Sequence, residues 1–255
     1  MGWVLDLDGV VWLADQPIPG SAAAVARLRA AGEPVVFVTN MSYGRRADVA
    51  ARLAAMGIEP GDDVVTSAMA AATLVSAGET VLVVGGPGLV EEIEASGASV
   101  VRSGDADAVV VGYDPAFDYR TLTAASTAVR RGARLLASND DATYPTPEGP
   151  VPGGGAILAA VERATGRSAT VAGKPHDATV RLVRDRVGGH GTVVGDRPET
   201  DGAFARALGF RFALVLSGVT GPADLPVDPA PDLVGEDLAA VVDRSLGPHA
   251  PAPKR

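Results

Sequence analysis

The feature that most constrains the fold is an alternation of short apolar runs with longer amphipathic segments. The runs are rich in Val, Leu and Ile, and they lie at residues 3–7, 35–39, 81–84, 108–111, 134–137, 170–172, 192–195 and 212–216. Each is apolar almost throughout, as is typical of a strand that is buried on both faces. The segments between them have helical periodicity, and several end just before a glycine. The pattern therefore predicts an α/β fold with a mostly parallel, doubly wound sheet between two layers of helices.

The residues that follow the predicted strands divide the chain into regions. Acidic or hydroxyl side chains end strands at Asp6, Thr39 and Asp196, near the two ends of the sequence. The middle of the chain continues the same alternation with glycine-rich turns and no comparable strand-end chemistry. The proline-rich C-terminal residues have too few apolar side chains to order themselves. The predicted organisation is a core of residues 1–78 and 170–247, an inserted α/β domain of residues 79–169, and a flexible tail of residues 248–255.

Composition and charge limit the possible partners. Hydrophobic types make up 47% of the 255 residues, which is enough for one or two cores. The chain has no cysteine, so thiolate chemistry and disulfides are excluded and the cytoplasm is the expected compartment. A net charge of -9 would repel nucleic acids and acidic membrane surfaces. No apolar run approaches the length of a membrane span, and the N-terminus does not resemble a signal peptide. We therefore expect a small-molecule substrate, with neither nucleic acid nor membrane as a partner.

The sharpest motif is the run VLDLDGVV at residues 4–11, an apolar strand that leads directly into Asp6 and Asp8. Ligands of open α/β sheets bind beyond the carboxyl ends of the strands, where both carboxylates would lie. Two like charges so close together need a cation or a shared proton, which points to a metal site. A tight turn at Asp8-Gly9 with an incidental acid before it explains this motif equally well.

Two further strand ends add groups that suit a phosphate. Thr39 and Asn40 follow a buried strand, and the Thr39 hydroxyl and the backbone N–H groups after it are neutral donors for an oxyanion. Taken alone, this segment is more simply a strand end and helix cap. Lys174 follows the apolar run at 170–172, and a fixed ammonium there would balance carboxylates and phosphate. Most lysines, however, are solvated surface groups.

A fourth motif, GDRPETD at residues 195–201, follows another buried strand. Oxygen ligands from Asp6 and Asp196 suit a hard cation such as Mg²⁺. Three histidines and no cysteine make a zinc site much less plausible. Asp201 would hold a metal-bound water or the loop itself. The alternative for Asp201 is an acidic residue that is stabilised at a helix N-terminus.

The four motifs occur in one order, each after a buried strand, and this order resembles that of the haloacid dehalogenase superfamily. The arrangement looks like the class IIA, or 4-nitrophenylphosphatase-like, branch, in which an α/β cap is inserted between the second and third motifs. Further similarity lies in VVGG at 83–86, VVGYD at 110–114, ASNDD at 137–141 and PGGG at 152–155. The resemblance implies a Rossmann-like core with a C2-type cap. The chain departs from the family pattern at Met41, where relatives often have a second Asn, and this bears on substrate contacts.

The resemblance also implies roles for the matched residues. Asp6 would attack phosphorus and form an aspartyl-phosphate, while Asp8 would serve as general acid and then general base. Mg²⁺ would be held by Asp6, by the backbone carbonyl of Asp8 and by Asp196. The phosphate oxygens would be bound by Thr39, the Asn40 backbone and Lys174.

Specificity is expected to come from the cap. The resemblance places a specificity loop around residues 139–147, where Asn139 and Tyr144 are the expected substrate-facing residues. With 4% aromatic residues, the chain favours small polyol or glycolate phosphates over nucleotides. Relatives form dimers through the cap, so a homodimer is a further possibility. The alternatives are a magnesium- and phosphate-binding scaffold without turnover, and a mutase, phosphotransferase or dehalogenase on the same core.

Overall fold

The computed structural model describes residues 1–14, 16–146 and 149–247. The predicted tail at 248–255 and Pro147 of the predicted specificity loop lie outside these residues. The strands are β1 (Gly2–Asp6), β2 (Trp12–Leu13), β3 (Gln16–Pro17), β4 (Val35–Thr39), β5 (Val64–Thr66), β6 (Thr80–Val84), β7 (Ser99–Val101), β8 (Ala108–Val111), β9 (Arg134–Ala137), β10 (Thr143–Thr146), β11 (Gly149–Pro152), β12 (Thr170–Val171), β13 (Gly191–Gly195), β14 (Arg211–Val215) and β15 (Leu233–Gly235). The helices are α1 (Ser21–Ala30), α2 (Arg46–Ala55), α3 (Ser67–Ala72), α4 (Pro87–Ala95), α5 (Tyr119–Arg130), α6 (Gly154–Thr165), α7 (Asp177–Val187), α8 (Ala203–Leu208) and α9 (Leu238–Leu246).

The core sheet has six strands in the order β15-β14-β13-β1-β4-β5, and every neighbouring pair is parallel. Side chains alternate across β1, so that Trp3 and Leu5 pack toward α1 and α9, whereas Val4 packs toward α7 and α8. Both faces are therefore covered by helices, which explains why the strands are apolar throughout. The predicted Rossmann-like, doubly wound α/β fold is confirmed.

A second parallel sheet has five strands in the order β12-β9-β8-β6-β7. Val81 and Val83 of β6 pack on the side of α3 and α4, whereas Leu82 and Val84 pack on the side of α5 and α6. A hairpin of β10 and β11 leads into α6. This sheet is a second α/β layer structure with cores of its own.

One strand lies in a different sheet from the one expected. The sequence interpretation assigned residues 170–172 to the core, but Thr170 and Val171 pair with Leu136 and Ala137 of β9, at the edge of the second sheet. Apolar periodicity identifies a strand but not its partner, because the paired residues are distant in sequence. Lys174 is therefore delivered to the core from the second sheet.

Among the residues that the structure describes, none of the helices has both the length and the apolar character needed to cross a lipid bilayer.

Candidate active site

Three polar side chains meet at the carboxyl edge of the core sheet. Asp6 is the last residue of β1, Thr39 is the last residue of β4, and Asp196 directly follows β13. Because β1 lies between β4 and β13 and all three run in parallel, their ends lie side by side. All three residues are buried. This edge is the ligand-binding position of an open α/β sheet.

Lys174 is the cation at the centre of the site. Its Nζ donates to Asp6 Oδ1 at 2.6 Å and to Asp201 Oδ1 at 2.7 Å. The lysine is only 3% exposed. Burial alone would lower the pKa of Lys174, but the charges of Asp201 and Asp6 outweigh it and raise the pKa. The ammonium therefore stays protonated and bridges two segments of the chain.

Asp6, Asp196 and Asp201 form a compact cluster of carboxylates. One oxygen from each lies within 4.8 Å of the others. Burial, followed by the charge of Asp201, raises the pKa of Asp196 to about 7. Burial also raises the pKa of Asp6, against the lowering effect of Lys174. A divalent cation would relieve this repulsion, and an all-oxygen donor set suits a hard ion such as Mg²⁺ or Ca²⁺. The cluster thus fits a metal ion, and the Asp201 carboxylate is one of the three groups that could hold it.

Glycines allow the backbone to approach these carboxylates closely. A Cβ placed on Gly218 would lie 1.9 Å from Asp196 Oδ2, and one on Gly195 would lie 2.1 Å from Asp201 Cγ. The neighbouring Val219 N–H donates to Asp196 Oδ2 at 2.6 Å. The carboxylate of Asp196 is therefore fixed by the loop that follows β14, a segment that the sequence interpretation did not select.

Asp201 also anchors its own loop. Its Oδ2 accepts a hydrogen bond from the Arg197 N–H at 3.1 Å, while Oδ1 binds Lys174. Residues Pro198–Gly202 form a wide π-helical turn before α8. Turns of this kind are rare in proteins, and those that do occur often lie at functional sites. The turn brings Asp201 to the site in a buried position.

Asp8 lies beside the carboxylate cluster in a different environment. It is partly buried, and its Oδ1 accepts a hydrogen bond from Trp12 Nε1 at 3.0 Å. Trp12 is in turn covered by the Arg52 guanidinium, 4.1 Å from the ring centroid. Burial raises the pKa of Asp8, while the Trp12 hydrogen bond lowers it. A carboxyl group with a raised pKa is suited to donate a proton.

Thr39 and Asn40 have different local roles. The Thr39 hydroxyl accepts a hydrogen bond from the Met41 N–H at 3.0 Å, which orients it at the strand end. The Asn40 side chain binds the main chain of Lys174 from both sides, since its Oδ1 accepts from Lys174 N at 2.8 Å and its Nδ2 donates to Lys174 O at 3.1 Å. The Asn40 amide therefore positions the lysine. The role of the Asn40 backbone in phosphate binding stays a prediction.

The expected specificity loop lies against the core at this point. Asn139 is 3% exposed, and its Nδ2 donates to Asn40 O at 2.8 Å, so it ties the loop to β4. The Tyr144 ring packs on Tyr113 with 5.5 Å between centroids and lines the cleft. Of the two predicted residues, Tyr144 is the one that reaches the main cleft. Asn139 lines a smaller chamber beside it.

Sequence reasoning missed one acidic residue in this loop. Asp141 lines the cleft together with the catalytic candidates, and its Oδ2 accepts a hydrogen bond from Asn40 Nδ2 at 3.0 Å. The run ASNDD at 137–141 contains Asp141, but the sequence prediction names only Asn139 of this run. The signal for Asp141 is the run of four polar residues at 138–141 directly after β9, of which Asp141 is the last.

The cleft occupies about 550 Å³, including its solvent-open part. Its walls come from both sheets: Asp6, Asp8 and Asp196 belong to the core side, and Asp141, Thr143 and Tyr144 to the other side. A cleft in which a few polar groups converge suits a small molecule. Buried carboxylates, one lysine and neutral donors at strand ends can together bind a metal ion and a phosphate group.

Comparisons with known proteins agree with this chemistry. Two family models match the chain, a haloacid dehalogenase-like hydrolase over residues 3–99 and a related hydrolase of the same superfamily over residues 171–241. D-glycerol 3-phosphate phosphatase of Mycobacterium tuberculosis is 37% identical over 262 residues, covering 98% of this chain and 73% of the relative. Mouse chronophin is 34% identical over 238 residues, covering 86% of this chain and 82% of the relative.

Solved structures give the same result. A p-nitrophenyl phosphatase from Archaeoglobus fulgidus superimposes with a TM-score of 0.89 at 32% identity, covering 95% of this chain and 98% of that one. Glycerol phosphate phosphatase from M. tuberculosis, in complex with magnesium, gives a TM-score of 0.87 at 37% identity, with 99% and 79% covered. The chain belongs to the class IIA phosphatases of the haloacid dehalogenase superfamily, which are phosphoric monoester hydrolases.

Proposed function

We propose that this chain is a magnesium-dependent phosphatase that hydrolyses phosphate esters of small polyols through a phosphorylated Asp6. The observation that carries the proposal is the cluster of Asp6, Asp196 and Asp201 around Lys174 at the end of three parallel strands. The named activities of the relatives, on glycerol phosphate and nitrophenyl phosphate, support the class of substrate.

The first step is attack by a carboxylate oxygen of Asp6 on phosphorus. The bond between phosphorus and the ester oxygen breaks, and Asp8 gives its proton to the leaving alcohol. The raised pKa of Asp8 favours the protonated form that this step needs. Lys174 holds Asp6 in place through the 2.6 Å hydrogen bond and supplies positive charge beside the transferred group.

The second step returns Asp6 to its starting state. Asp8 takes a proton from a water molecule, whose oxygen attacks phosphorus and releases the Asp6 carboxylate and inorganic phosphate. The Thr39 hydroxyl, the Asn40 N–H and Lys174 bind the phosphate oxygens in both steps. A magnesium ion held by Asp6, Asp196 and the Asp8 carbonyl would neutralise charge on the phosphate during transfer.

The second sheet and its hairpin act as the cap in this proposal, formed by the inserted residues 79–169 together with β12. Residues of the 139–146 segment close one side of the cleft and exclude water from the reacting groups. The absence of cysteine fits a reducing compartment, so we propose the cytoplasm as the location. A homodimer through the cap stays a prediction.

The proposal is tested by measuring phosphate release from glycerol 3-phosphate and 4-nitrophenyl phosphate with Mg²⁺, with EDTA, and after Mg²⁺ is restored. We expect release that EDTA abolishes and Mg²⁺ restores. Binding of phosphate esters without release would show a scaffold instead. Transfer of phosphate to an added alcohol, with little free phosphate, would show a phosphotransferase.

A further inference from the structure

The cleft continues beyond the phosphate site into a smaller chamber. The chamber shares Asn40, Met41, Asp141, Thr143 and Tyr144 with the main cleft and is closed by residues that include Tyr113 and Gly154. It lies on the side of the second sheet, away from Asp196 and Asp201, which line only the main cleft. The part of a substrate beyond the ester oxygen would therefore extend toward this chamber.

The two side-chain amides at the junction are already hydrogen bonded. The Asn40 amide binds Lys174 and Asp141. The Asn139 amide donates to Asn40 O at 2.8 Å and accepts from the Asp141 N–H at 3.2 Å. Both amides already donate and accept hydrogen bonds within the protein, so neither is well suited to bind a substrate.

The Asp141 carboxylate, unlike the two amides, has an oxygen that accepts no hydrogen bond from the described residues. Its Oδ2 accepts from Asn40 Nδ2, and no group among the residues that the structure describes donates to its Oδ1. Because a carboxylate can only accept, the Asn40 amide presents its Nδ2 to Asp141, and this hydrogen bond holds the carboxylate in place. A fixed acceptor oxygen thus lies between the phosphate site and the chamber.

We propose that Asp141 selects the leaving group by accepting a hydrogen bond from a substrate hydroxyl and by repelling a negatively charged leaving group. This inference rests on the proposed function and narrows its substrate class. Phosphate esters of neutral, hydroxylated alcohols are accepted, whereas phosphate esters of hydroxy acids are disfavoured. The partly buried position strengthens both effects, because charges interact more strongly away from bulk water.

Two variants separate the hydroxyl contact from the charge. In Asp141→Ala the acceptor is lost, so kcat/KM for glycerol 3-phosphate should fall about 10- to 100-fold while that for 4-nitrophenyl phosphate changes by about threefold or less. In Asp141→Asn the hydrogen bond to Asn40 is kept but the charge is removed. The ratio of kcat/KM for glycerol 3-phosphate over 2-phosphoglycolate should then fall about tenfold.

Asp140→Asn is the matched control, since it removes the same charge one residue earlier. The Asp140 carboxylate lies 3.1 Å from His176 Nε2 and does not line the cleft. We expect its substrate ratios to equal those of the parent. Thermal unfolding of all three variants checks that each is folded.

Equal losses on all three esters in the Asp141 variants would show that Asp141 only holds Asn40, and would overturn the inference. So would unchanged ratios, or a shift in Asp140→Asn as large as that in Asp141→Asn. Failure of the proposed function is a separate result, in which the parent enzyme releases phosphate from none of the esters.

Discussion

The two parallel sheets turn the carboxyl ends of their strands toward the same segment, residues 40–43, but they contribute different side chains there. The core sheet contributes the carboxylates of Asp6 and Asp196. The second sheet contributes mostly small or neutral residues: Ser138 Oγ donates to Ser42 Oγ at 2.9 Å, and Gly88 N–H donates to Tyr43 O at 2.8 Å. Its Asp141 carboxylate meets the segment as a single acid, at Asn40. The cation that this sheet brings to the site is Lys174, which follows β12.

This difference shows that the arrangement of strands and helices alone does not place reactive side chains at the carboxyl edge of a sheet. The edge with Asp6 and Asp196 is called the catalytic edge below. Both sheets are apolar, parallel and covered by helices. In the proposed function, the charge at one edge serves to hold a metal ion and a phosphate. Among the described residues the other edge has no cluster of three carboxylates, and it packs closely as a surface that shapes the cleft. Substitutions at the two edges should therefore fail in different ways.

The largest effect is expected at the catalytic edge for Asp6→Asn. The amide cannot act as the nucleophile, so kcat should fall by at least about 10⁴-fold on every ester. Phosphate release under saturating substrate measures it. Circular dichroism should show the parental fold, because the Asn side chain has nearly the same shape. Activity near that of the parent would mean that another residue attacks phosphorus.

Asp8→Asn should give a smaller loss that depends on the leaving group. Without a general acid, kcat for glycerol 3-phosphate should fall about 10²- to 10⁴-fold. The loss for 4-nitrophenyl phosphate should be smaller, because nitrophenolate leaves without a proton. Steady-state kinetics on the two esters gives the comparison. An equal loss on both would argue against proton donation by Asp8.

The packed edge is tested by Gly112→Ala. An added Cβ would lie 2.7 Å from Ser42 Oγ and 2.8 Å from Ser138 Oγ, and both serines are fully buried. We expect a loss of about 1–3 kcal/mol in the free energy of unfolding, since a tight core must rearrange. Urea denaturation measures it. Gly189→Ala is the control, because nothing lies within 4 Å of its Cβ position; if both variants lost equal stability, close packing at this edge would not be the cause.

The smallest effect is expected for the pair of Asp140 and His176, which links the segment after β9 to the start of α7. The hydrogen bond between them lowers the pKa of Asp140 and raises that of His176. The pair therefore stabilises the fold above pH 3.8 and below pH 6.5, the ordinary values of the two groups. Its contribution disappears as the pH falls through the lowered pKa of Asp140 or rises through the raised pKa of His176.

His176→Gln tests this window. Both side chains are partly exposed, so the parent should exceed the variant by about 1 kcal/mol or less. Thermal unfolding at several pH values measures the difference, which should be greatest at mildly acidic pH and small in alkaline solution. A difference that stays constant with pH would point to lost packing instead of charge.

The sequence predicted the elements whose evidence is local. An apolar run and the polar residue after it are neighbours in the chain, so Asp6, Thr39 and Asp196 are recognisable as strand ends from the sequence alone. The eight predicted strands all occur, within one or two residues at each end. Their parallel arrangement then follows from the helices between them.

The remaining features depend on contacts between distant residues. The three-residue strands β5 and β15 are too short for periodicity to show, and the β10–β11 hairpin contains prolines, which disfavour a strand prediction. The sheet that β12 joins and the contact of Asp141 with Asn40 across 101 positions leave no local pattern. These are the features that shape the cleft and its specificity.

The central claim is that Asp6 becomes phosphorylated, and chemical trapping tests it most directly. The enzyme is quenched in acid during turnover and treated with borohydride, which reduces an aspartyl-phosphate to homoserine, and the peptides are then analysed by mass spectrometry. We expect homoserine at position 6 in the parent enzyme and none in the Asp6→Asn variant. Homoserine at another aspartate, with Asp6 unmodified, would contradict it.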